Sequence, residues 1–474
     1  MDQRLSVAQQ DSPGSSVFDL PATVTNTDIF TSTQVSERVP ISIRDPAHDL
    51  ASGEPSFLII SGGTGGNAIC SAFTNACYVL PVSDDGGSSS EIIRVLGGPS
   101  VGDIRSRLIR LIPPAPPTST LDAIRRLLAY RLPTSSSERD ARDEWRDIVE
   151  GKSSLWRGIP TDRKETIRGF LVYFESELLK RAHKNFDFRN GSIGNYFIAA
   201  AQGFFRSLPS AIFLFSSITN SQAHILPVIV TNHTVTIAAE LEDGERLVGQ
   251  CEISHPMVST DFSFRLGDEE ETPMSPVDGL GEFISPPRNV MFESLSKRKH
   301  DPLPSRISRL YYINGYGMEI HPFPNVDFLS NLASKDILVY SCGSLWTSII
   351  PCLALKGVAG GIARSPSLRA KVLLLNVEND RETDGYSAVD YLQAIARTLN
   401  SDYSTQPYGL GGVNTRYPIS AFITDLVYLQ GTQIVVDVKK ITAMGVRCRE
   451  VEGGPRFDAD TVALAMQDVW QDVR

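Results

Sequence analysis

Residues 57–67 (FLIISGGTGGN) constrain the fold more than any other part of the chain. Four consecutive apolar residues run directly into a cluster of glycines. An apolar run that ends at such a cluster predicts a buried strand of a parallel sheet that stops at a tight loop. Residues 68–73 can then begin a helix. The segment therefore predicts a strand–loop–helix unit.

The glycine loop also predicts a phosphate site. Glycines let backbone N–H groups approach a ligand closely, and the N-terminus of the following helix carries a partial positive charge. Residues 63–68 fit the G-x-G-x-x-G/A dinucleotide pattern, with Asp84 about 20 residues further on, which leaves an NAD(P)-dependent oxidoreductase open. The plain alternative is a glycine-rich turn without a ligand. We expect a nucleotide or another phosphorylated small molecule.

The composition excludes several classes of protein. The chain has 474 residues and a formal net charge of −10, so a broad basic face for nucleic acid is not expected. No apolar stretch reaches the roughly 18 residues of a membrane helix, and the polar start does not indicate a signal peptide. Six cysteines without C-x-x-C or zinc spacing favour a reducing compartment. We predict a cytoplasmic protein without nucleic-acid or membrane partners, and a homodimer stays open.

The predicted domain organisation is one α/β domain behind a tail. Residues 1–54, rich in Ser, Thr, Asp and Pro, are expected to be disordered, and residues 55–474 to form the domain. Insertions interrupt the domain at about 113–165 and 256–305. The first is expected to be helical, with a flexible serine-rich link at 135–137, and the second to be mostly disordered.

Strands alternate with helices along the rest of the chain. This alternation predicts a Rossmann-like parallel sheet with helices on both faces. Alternating polar and apolar residues around Asp243 and Gly244 predict a β-hairpin between residues 228 and 253. The predicted strands of the sheet include 57–60, 78–82, 336–340, 371–375, 421–428 and 434–438. The predicted helices include 104–112, 121–132, 167–182, 196–205, 349–356 and 388–399.

The pattern that most clearly indicates catalytic or metal-binding residues follows the second predicted strand. Asp84 and Asp85 are adjacent carboxylates beside glycines, so they cannot point the same way. One can hold Mg²⁺ or a ribose hydroxyl while the other caps the following turn. The alternative is that both are simple caps. Backbone N–H groups of Gly86 and Gly87, with the hydroxyl of Ser88, are suitable partners for an anion.

Other polar residues also follow predicted strands, whose carboxyl ends meet at the edge where ligands bind. Ser344, after a strand and a glycine, predicts a second anion loop, with a helix cap as the alternative. Arg105 either clamps a phosphate or pairs with Asp103. Asn195 either caps its helix or reaches the ligand. Cys342 is a reactive thiol or, as we prefer, a buried structural cysteine.

The order of the motifs resembles one family. GGTGG, VSDDGGSSS, GDIR, GSIGN, LPV before a hairpin, CGSLWTSIIP, LLLN and ETDGY follow one another along the chain. This series is similar to the CofD-like family, which includes 2-phospho-L-lactate transferase and the YvcK branch of gluconeogenesis factors. The resemblance covers about residues 56–440 outside the insertions. The DDGGSSS form is closer to the YvcK branch, and Cys342 stands where the family usually has proline.

The resemblance implies a function. It implies a CofD-like core that binds a nucleoside diphosphate or a nucleotide sugar at the sheet edge. In the transferase branch, a 2-phospho-lactyl group moves from a guanosine-diphosphate carrier to a deazaflavin alcohol with Mg²⁺. Members of the YvcK branch bind UDP-sugars and act in carbon metabolism or cell-shape control. We expect a phospho-group transferase, and a non-catalytic UDP-sugar-binding regulator is the alternative.

The family motifs also imply site residues. Asp84 and Asp85 are the implied catalytic and Mg²⁺-binding residues. The implied nucleotide- and phosphate-binding residues are Gly62, Gly63, Thr64, Gly65, Gly66, Asn67, Gly86, Gly87, Ser88, Arg105, Asn195, Gly343, Ser344 and Thr347.

Overall fold

The computed structural model describes residues 53–255, 302–403 and 416–474. Most of the predicted tail (1–52) and of the second predicted insertion (256–301) lies outside the described residues. The described strands are β1 (Phe57–Ile60), β2 (Ala76–Leu80), β3 (His224–Pro227), β4 (Thr236–Leu241), β5 (Arg246–Val248), β6 (Ile307–Ile313), β7 (Glu319–Ile320), β8 (Ile337–Tyr340), β9 (Ala370–Leu374), β10 (Asp425–Leu429) and β11 (Arg447–Val451).

A seven-stranded parallel sheet forms the centre of the domain. Its strand order is β11-β10-β9-β8-β1-β2-β3, and each neighbouring pair is parallel. Every residue of β1 and β8 is buried, as expected for strands covered by helices on both faces. The predicted Rossmann-like α/β fold is therefore confirmed.

Helices fill the connections between these strands. The described α-helices are α1 (Thr64–Ile69), α2 (Gly87–Leu96), α3 (Gly102–Arg110), α4 (Thr120–Ala129), α5 (Glu138–Val149), α6 (Thr161–Leu179), α7 (Ile193–Phe205), α8 (Leu208–Thr219), α9 (Gln250–Ser254), α10 (Val326–Leu332), α11 (Ile350–Leu353), α12 (Val358–Ala363), α13 (Ala388–Leu399), α14 (Val438–Ala443) and α15 (Ala459–Val473). A π-helical turn, Leu345–Ile349, leads into α11.

The predicted hairpin belongs to a second, antiparallel sheet. Its order is β5-β4-β6-β7, so β4 and β5 pair as the hairpin and β6 joins from beyond the second insertion. The hairpin begins at Thr236, later than the prediction of residue 228. The chain from β5 leads directly into α9, which is one of the elements that approach the main sheet edge.

One predicted strand, residues 434–438, is wrong. Asp437 accepts a hydrogen bond from the backbone N–H of Lys440 and caps α14, so the apolar run before it ends at a helix start. The strand at this sheet edge is β11, where Arg447 and Arg449 both pair with Asp425 of β10. A run of three apolar residues is too short for its periodicity to separate a strand from a helix approach.

The serine-rich stretch at 135–137 is part of a helix start rather than a flexible link. Ser137 accepts a hydrogen bond from the backbone N–H of Asp140 and caps α5. The helices α4 and α5 lie within the stretch that was predicted to be a helical insertion.

The strand order reverses between β1 and β8, which positions the site. From β1 the chain proceeds to β2 and β3 on one side, whereas β8 leads to β9, β10 and β11 on the other. Loops at such a point leave in opposite directions and open a crevice outside the carboxyl ends of the strands. Ile60 pairs with Tyr340 at that end, so the glycine loop and the Cys342–Ser344 segment begin side by side.

Candidate functional site

A cavity of about 760 Å³ lies at the carboxyl edge of the main sheet. Its walls come from the loops after β1, β2, β8 and β9, from α3 and α9, and from the segments after α4 and before α15, elements that are far apart in sequence. The predicted site residues on these walls are Gly62, Gly63, Gly65, Gly66, Asp84, Gly86, Gly87, Gly343, Ser344 and Thr347. Thr64 begins α1, and its side chain is outside the described part of the structure.

The glycine loop packs directly against the loop that follows β8. A Cβ atom on Gly65 would lie 2.7 Å from the carbonyl oxygen of Cys342 and 2.9 Å from Cα of Gly343. A Cβ atom on Gly62 would lie 2.1 Å from Oγ of Ser348. Glycine is therefore required where the two loops meet, besides any role in approaching a ligand.

Asn376, directly after β9, holds the second loop. Its Oδ1 accepts from the backbone N–H of Gly343 at 2.8 Å, and its Nδ2 donates to the carbonyl of Gly343 at 2.8 Å. Gly343 has a φ of +133°, which side-chain-bearing residues rarely adopt. Ser344 forms no side-chain cap, so the alternative of a serine helix cap is wrong. Asn376 is a site residue that the sequence patterns did not indicate, although the LLLN motif contains it.

Glu382 holds the π-helical turn that carries Thr347. One Glu382 oxygen accepts from the backbone N–H groups of Trp346 at 3.0 Å and Thr347 at 3.1 Å. The other accepts from the Thr347 hydroxyl at 2.6 Å. Burial and the nearby Asp380 raise the pKa of Glu382 to about 8. The Thr347 hydroxyl therefore donates its proton to a carboxylate that does not line the cavity.

Asp84 shares the cavity wall with Asp103, not with Asp85. Burial and the charge of Asp103 raise the pKa of Asp84 to about 8, and burial raises the pKa of Asp103 to about 6. Asp84 accepts one hydrogen bond at 3.0 Å, from the backbone N–H of Gly86. Asp85 points away and accepts from the backbone N–H of Cys251 at 2.8 Å, at the start of α9. The two adjacent carboxylates thus have opposite directions and different partners.

Four other predicted site residues lie behind the walls. Asn195 donates to Ser88 at 2.8 Å, and both side chains are buried; Ser192, not Asn195, caps α7. Asn67 donates to the hydroxyl of Ser106 at 2.7 Å. Arg105 donates to the carbonyl of Ala129 at 2.9 Å, at the end of α4, and forms no ion pair with Asp103. Their ligand-binding roles stay predictions.

Arg131 is a cation on the cavity wall that was not among the predicted site residues. Its Nη1 donates to the carbonyl of Asn190 at 2.7 Å and lies 3.9 Å from a Cβ atom built on Gly87. The guanidinium thus stands beside the start of α2, whose N-terminus has no side-chain cap. Arg131 comes from the first predicted insertion, and no local pattern marked it. A cation next to uncapped helix N–H groups favours an anionic group at this wall.

The walls also carry a histidine and an ion pair. His255, directly after α9, has its Nδ1 within 2.7 Å of the Ser254 hydroxyl. Ser254 donates its own proton to the carbonyl of Gln250 at 2.7 Å. Its oxygen is then available to accept a proton from Nδ1, which orients the imidazole. Arg456 and Glu378 form an exposed ion pair of 3.3 Å on the opposite wall.

The carboxylate pair fits the Mg²⁺ that the resemblance implies. Such ions are usually held by one or two carboxylates plus ligand phosphates rather than by a full protein cage. Asp84 and Asp103 both line the cavity, and within residues 53–255, 302–403 and 416–474 the Asp103 carboxylate accepts no hydrogen bond. The same ranges contain no group of three or more His, Cys, Asp or Glu that could hold a metal by itself. The donor set therefore suits an ion shared with a bound phosphate.

Comparisons with solved structures and other chains agree with this architecture. A crystal structure of a UPF0052 family member from Bacillus halodurans has a TM-score of 0.54 and 19% identity, covering 87% of this chain and 99% of that chain. At this identity the likeness shows the fold alone.

In the described part of the chain, every helix is too short or too polar to cross a membrane.

Sequence relatives extend over most of the chain. The uncharacterized Saccharomyces cerevisiae protein YNL011C is 33% identical over 451 residues, which cover 87% of this chain and 98% of the yeast protein. A gluconeogenesis factor of Bacillus subtilis is 21% identical, covering 83% of this chain and 89% of that protein. The model of the family described as 2-phospho-L-lactate transferase CofD matches residues 57–452. Because this match spans nearly the whole described domain, the chain belongs to the CofD family.

Proposed function

We propose that the protein binds a nucleoside diphosphate or a nucleotide sugar with Mg²⁺ in this cavity and transfers a phospho-group from such a donor to an alcohol. One observation carries the proposal: the carboxylates of Asp84 and Asp103 lie on the walls of the same cavity as the glycine loop. Backbone N–H groups of such a loop suit a diphosphate. A carboxylate pair beside them suits a metal ion and an acceptor hydroxyl.

The transfer step requires little covalent chemistry from the protein side chains. The acceptor oxygen forms a bond to phosphorus while the bond from phosphorus to a nucleoside monophosphate breaks, and charge spreads over the phosphoryl oxygens. The N–H groups of the glycine loop and the guanidinium of Arg131 stabilise that charge. A bound Mg²⁺ supplies further neutralisation there. The carboxylate of the acidic pair that does not hold the metal takes the proton of the acceptor hydroxyl.

Burial raises the pKa of both members of the pair, Asp84 to about 8 and Asp103 to about 6, which supports a proton-accepting role for the pair. A base is most effective when its pKa is close to the working pH. The six free thiols are consistent with a reducing cytoplasm as the place of action.

Two measurements test the proposal. Mass spectrometry of small molecules that co-purify with the native protein would identify the nucleotide. The protein is then incubated with Mg²⁺, that nucleotide as a diphosphate-linked donor, and candidate alcohols, and nucleoside monophosphate release is followed by chromatography. We expect release that depends on both Mg²⁺ and the alcohol. Tight nucleotide binding without release from any donor would overturn the transferase proposal.

A non-catalytic nucleotide-sugar-binding regulator is the second candidate. The curated relatives support it: those from Clostridium acetobutylicum and Bacillus subtilis carry the name of gluconeogenesis factor and cover 88% and 83% of this chain. Calorimetry with UDP-sugars separates the two functions. Saturable binding of an intact UDP-sugar, with no product after long incubation with alcohols, favours the regulator.

A further inference from the structure

Arg107, on α3, is a buried cation that forms no ion pair in the described part of the chain. Its side chain is 1% exposed. The guanidinium stacks on the ring of Tyr78 at 4.7 Å, and its Nε and Nη1 have no hydrogen-bond partner among the described residues. Burying an uncompensated charge destabilises a fold, so such a group requires a physical explanation.

The position of Arg107 suggests that explanation. Its Nη2 donates to the carbonyl of Gly62 at 3.2 Å and to the hydroxyl of Ser61 at 2.9 Å. A Cβ atom on Gly66 would lie 2.6 Å from the same nitrogen. Gly62 and Gly66 line the cavity, whereas Arg107 does not. The guanidinium therefore lies immediately behind the backbone that is predicted to receive phosphates.

The neighbours of Arg107 do not neutralise it. The hydroxyl of Tyr78 donates to the carbonyl of Cys70 at 2.7 Å, and burial raises the pKa of Tyr78, so the phenol stays neutral. The thiols of Cys70 and Cys342 also have pKa values raised by burial. Asp103, one turn earlier on α3, is the nearby acid, and it lies on the cavity wall with Asp84. The Asp103 carboxylate therefore acts on Arg107 from the cavity wall, and among the described residues no carboxylate pairs directly with the guanidinium.

We propose that Arg107 is a positioning residue whose buried charge makes the glycine loop select a diphosphate over a monophosphate. This inference rests on the proposed function. The charge acts through the thin glycine backbone without touching the ligand, because low-dielectric surroundings leave it poorly screened. Each added phosphate charge on the cavity side then compensates the buried cation. Arg107 also holds the Gly62 carbonyl away from the ligand, which keeps that oxygen from repelling the phosphates.

The test compares affinities for GDP, GMP, UDP and UMP by calorimetry with Mg²⁺. Arg107→Met removes the charge and keeps the length, Arg107→Lys keeps the charge, and Arg110→Met removes an exposed charge from the same helix. In Arg107→Met we expect the ratio of diphosphate to monophosphate affinity to fall on the order of tenfold. The ratio in Arg107→Lys and Arg110→Met should stay within about threefold of the wild type, because a retained or a solvent-screened charge changes it little.

The possible results separate this inference from the proposed function. Wild-type protein that binds neither diphosphate would overturn the proposed function and this inference together. Wild-type binding with an unchanged ratio in Arg107→Met would overturn the role of Arg107 alone. A merely structural role would lower both affinities equally and leave the ratio unmoved. If Arg107→Met does not fold, Arg107→Lys decides: a tenfold loss of the ratio with the charge retained contradicts the proposal.

Discussion

The side-chain amide of Asn376 brackets the backbone of Gly343, accepting from its N–H and donating to its carbonyl, each at 2.8 Å. The loop after β9 thereby fixes the loop after β8 in a conformation with a φ of +133° at Gly343. A glycine in this region has few conformational restraints of its own. The part of the cavity wall that Gly343 and Ser344 form therefore depends on the side chain of Asn376, which comes from a different loop.

Asn376→Ala is expected to lower both stability and ligand affinity. It leaves the N–H and the carbonyl of Gly343 without their partner, which costs about 1–3 kcal/mol in the free energy of unfolding. Asn376→Asp keeps the acceptor but adds a negative charge beside the predicted phosphates, so it should lower nucleoside diphosphate affinity more than stability. Urea unfolding and calorimetry on both variants check this. Equal affinities in wild type and Asn376→Asp would contradict the assigned wall.

Gly65→Ala is expected to destabilise the fold. Its Cβ atom would meet backbone atoms of Cys342 and Gly343 at 2.7 Å and 2.9 Å, and backbone cannot move aside cheaply. We expect a loss of about 1–3 kcal/mol in the free energy of unfolding. Gly169→Ala is the matched control, because a Cβ atom there meets nothing within 4 Å in helix α6. That variant should gain about 0.5–1 kcal/mol, and similar losses in both variants would disprove the loop contact.

Glu382 predicts a pH dependence of stability. Its pKa is about 8 in the fold, against an ordinary value of 4.5, so between these values the folded state binds more protons than the unfolded state. Stability should therefore fall as pH rises through this range, by at most about 1.4 kcal/mol per pH unit from this group. Glu382→Gln keeps an acceptor oxygen for the backbone N–H groups of Trp346 and Thr347, reverses the bond to the Thr347 hydroxyl, and removes the titration. Denaturant unfolding from pH 5 to 9 should show a flatter profile for the variant, and parallel profiles would refute the assignment.

Asp84→Asn and Asp103→Asn should behave alike, and Asp85→Asn differently. Losing either member of the cavity pair is expected to weaken Mg²⁺-dependent nucleotide binding on the order of tenfold or more. Stability should stay level or rise, because the partly buried like charges no longer repel each other. Asp85→Asn weakens the cap of α9 and should cost at most about 0.5–2 kcal/mol of stability. Calorimetry with and without Mg²⁺ distinguishes the three variants. If Asp85→Asn lowered the Mg²⁺-dependent affinity more than Asp103→Asn does, the metal-binding pair would be Asp84 and Asp85 instead.

Arg131→Met is expected to weaken nucleoside diphosphate binding on the order of tenfold, because it removes a guanidinium from the cavity wall. Arg125→Met is the matched control. Arg125 lies on the neighbouring helix α4 and forms a partly exposed ion pair with Asp122. Its loss should change stability by less than about 1 kcal/mol and leave nucleotide affinity unchanged. Equal nucleotide affinities of Arg131→Met and the wild type would remove Arg131 from the site.

Local patterns alone predicted the glycine loop and the fold class. The apolar run into glycines at 57–67 specifies a buried strand and a tight loop because both signals lie in consecutive residues. The same holds for the hairpin around Asp243 and Gly244, whose strands β4 and β5 pair as predicted. The order of the motifs by itself indicates the CofD family, and the family match over residues 57–452 confirms it.

Only the tertiary structure decided which side chains meet at the cavity. Asp84 faces Asp103 rather than its neighbour Asp85, whose partner Cys251 is 166 residues away. Asn376 reaches Gly343 across 33 residues, and Arg131 arrives from a helical insertion. These contacts follow from the strand order and from where the chain reverses, neither of which leaves a periodic signal in the sequence. The sequence by itself thus determined a phosphate-type loop on a parallel sheet, and tertiary packing determined the acidic pair and the cations that surround it.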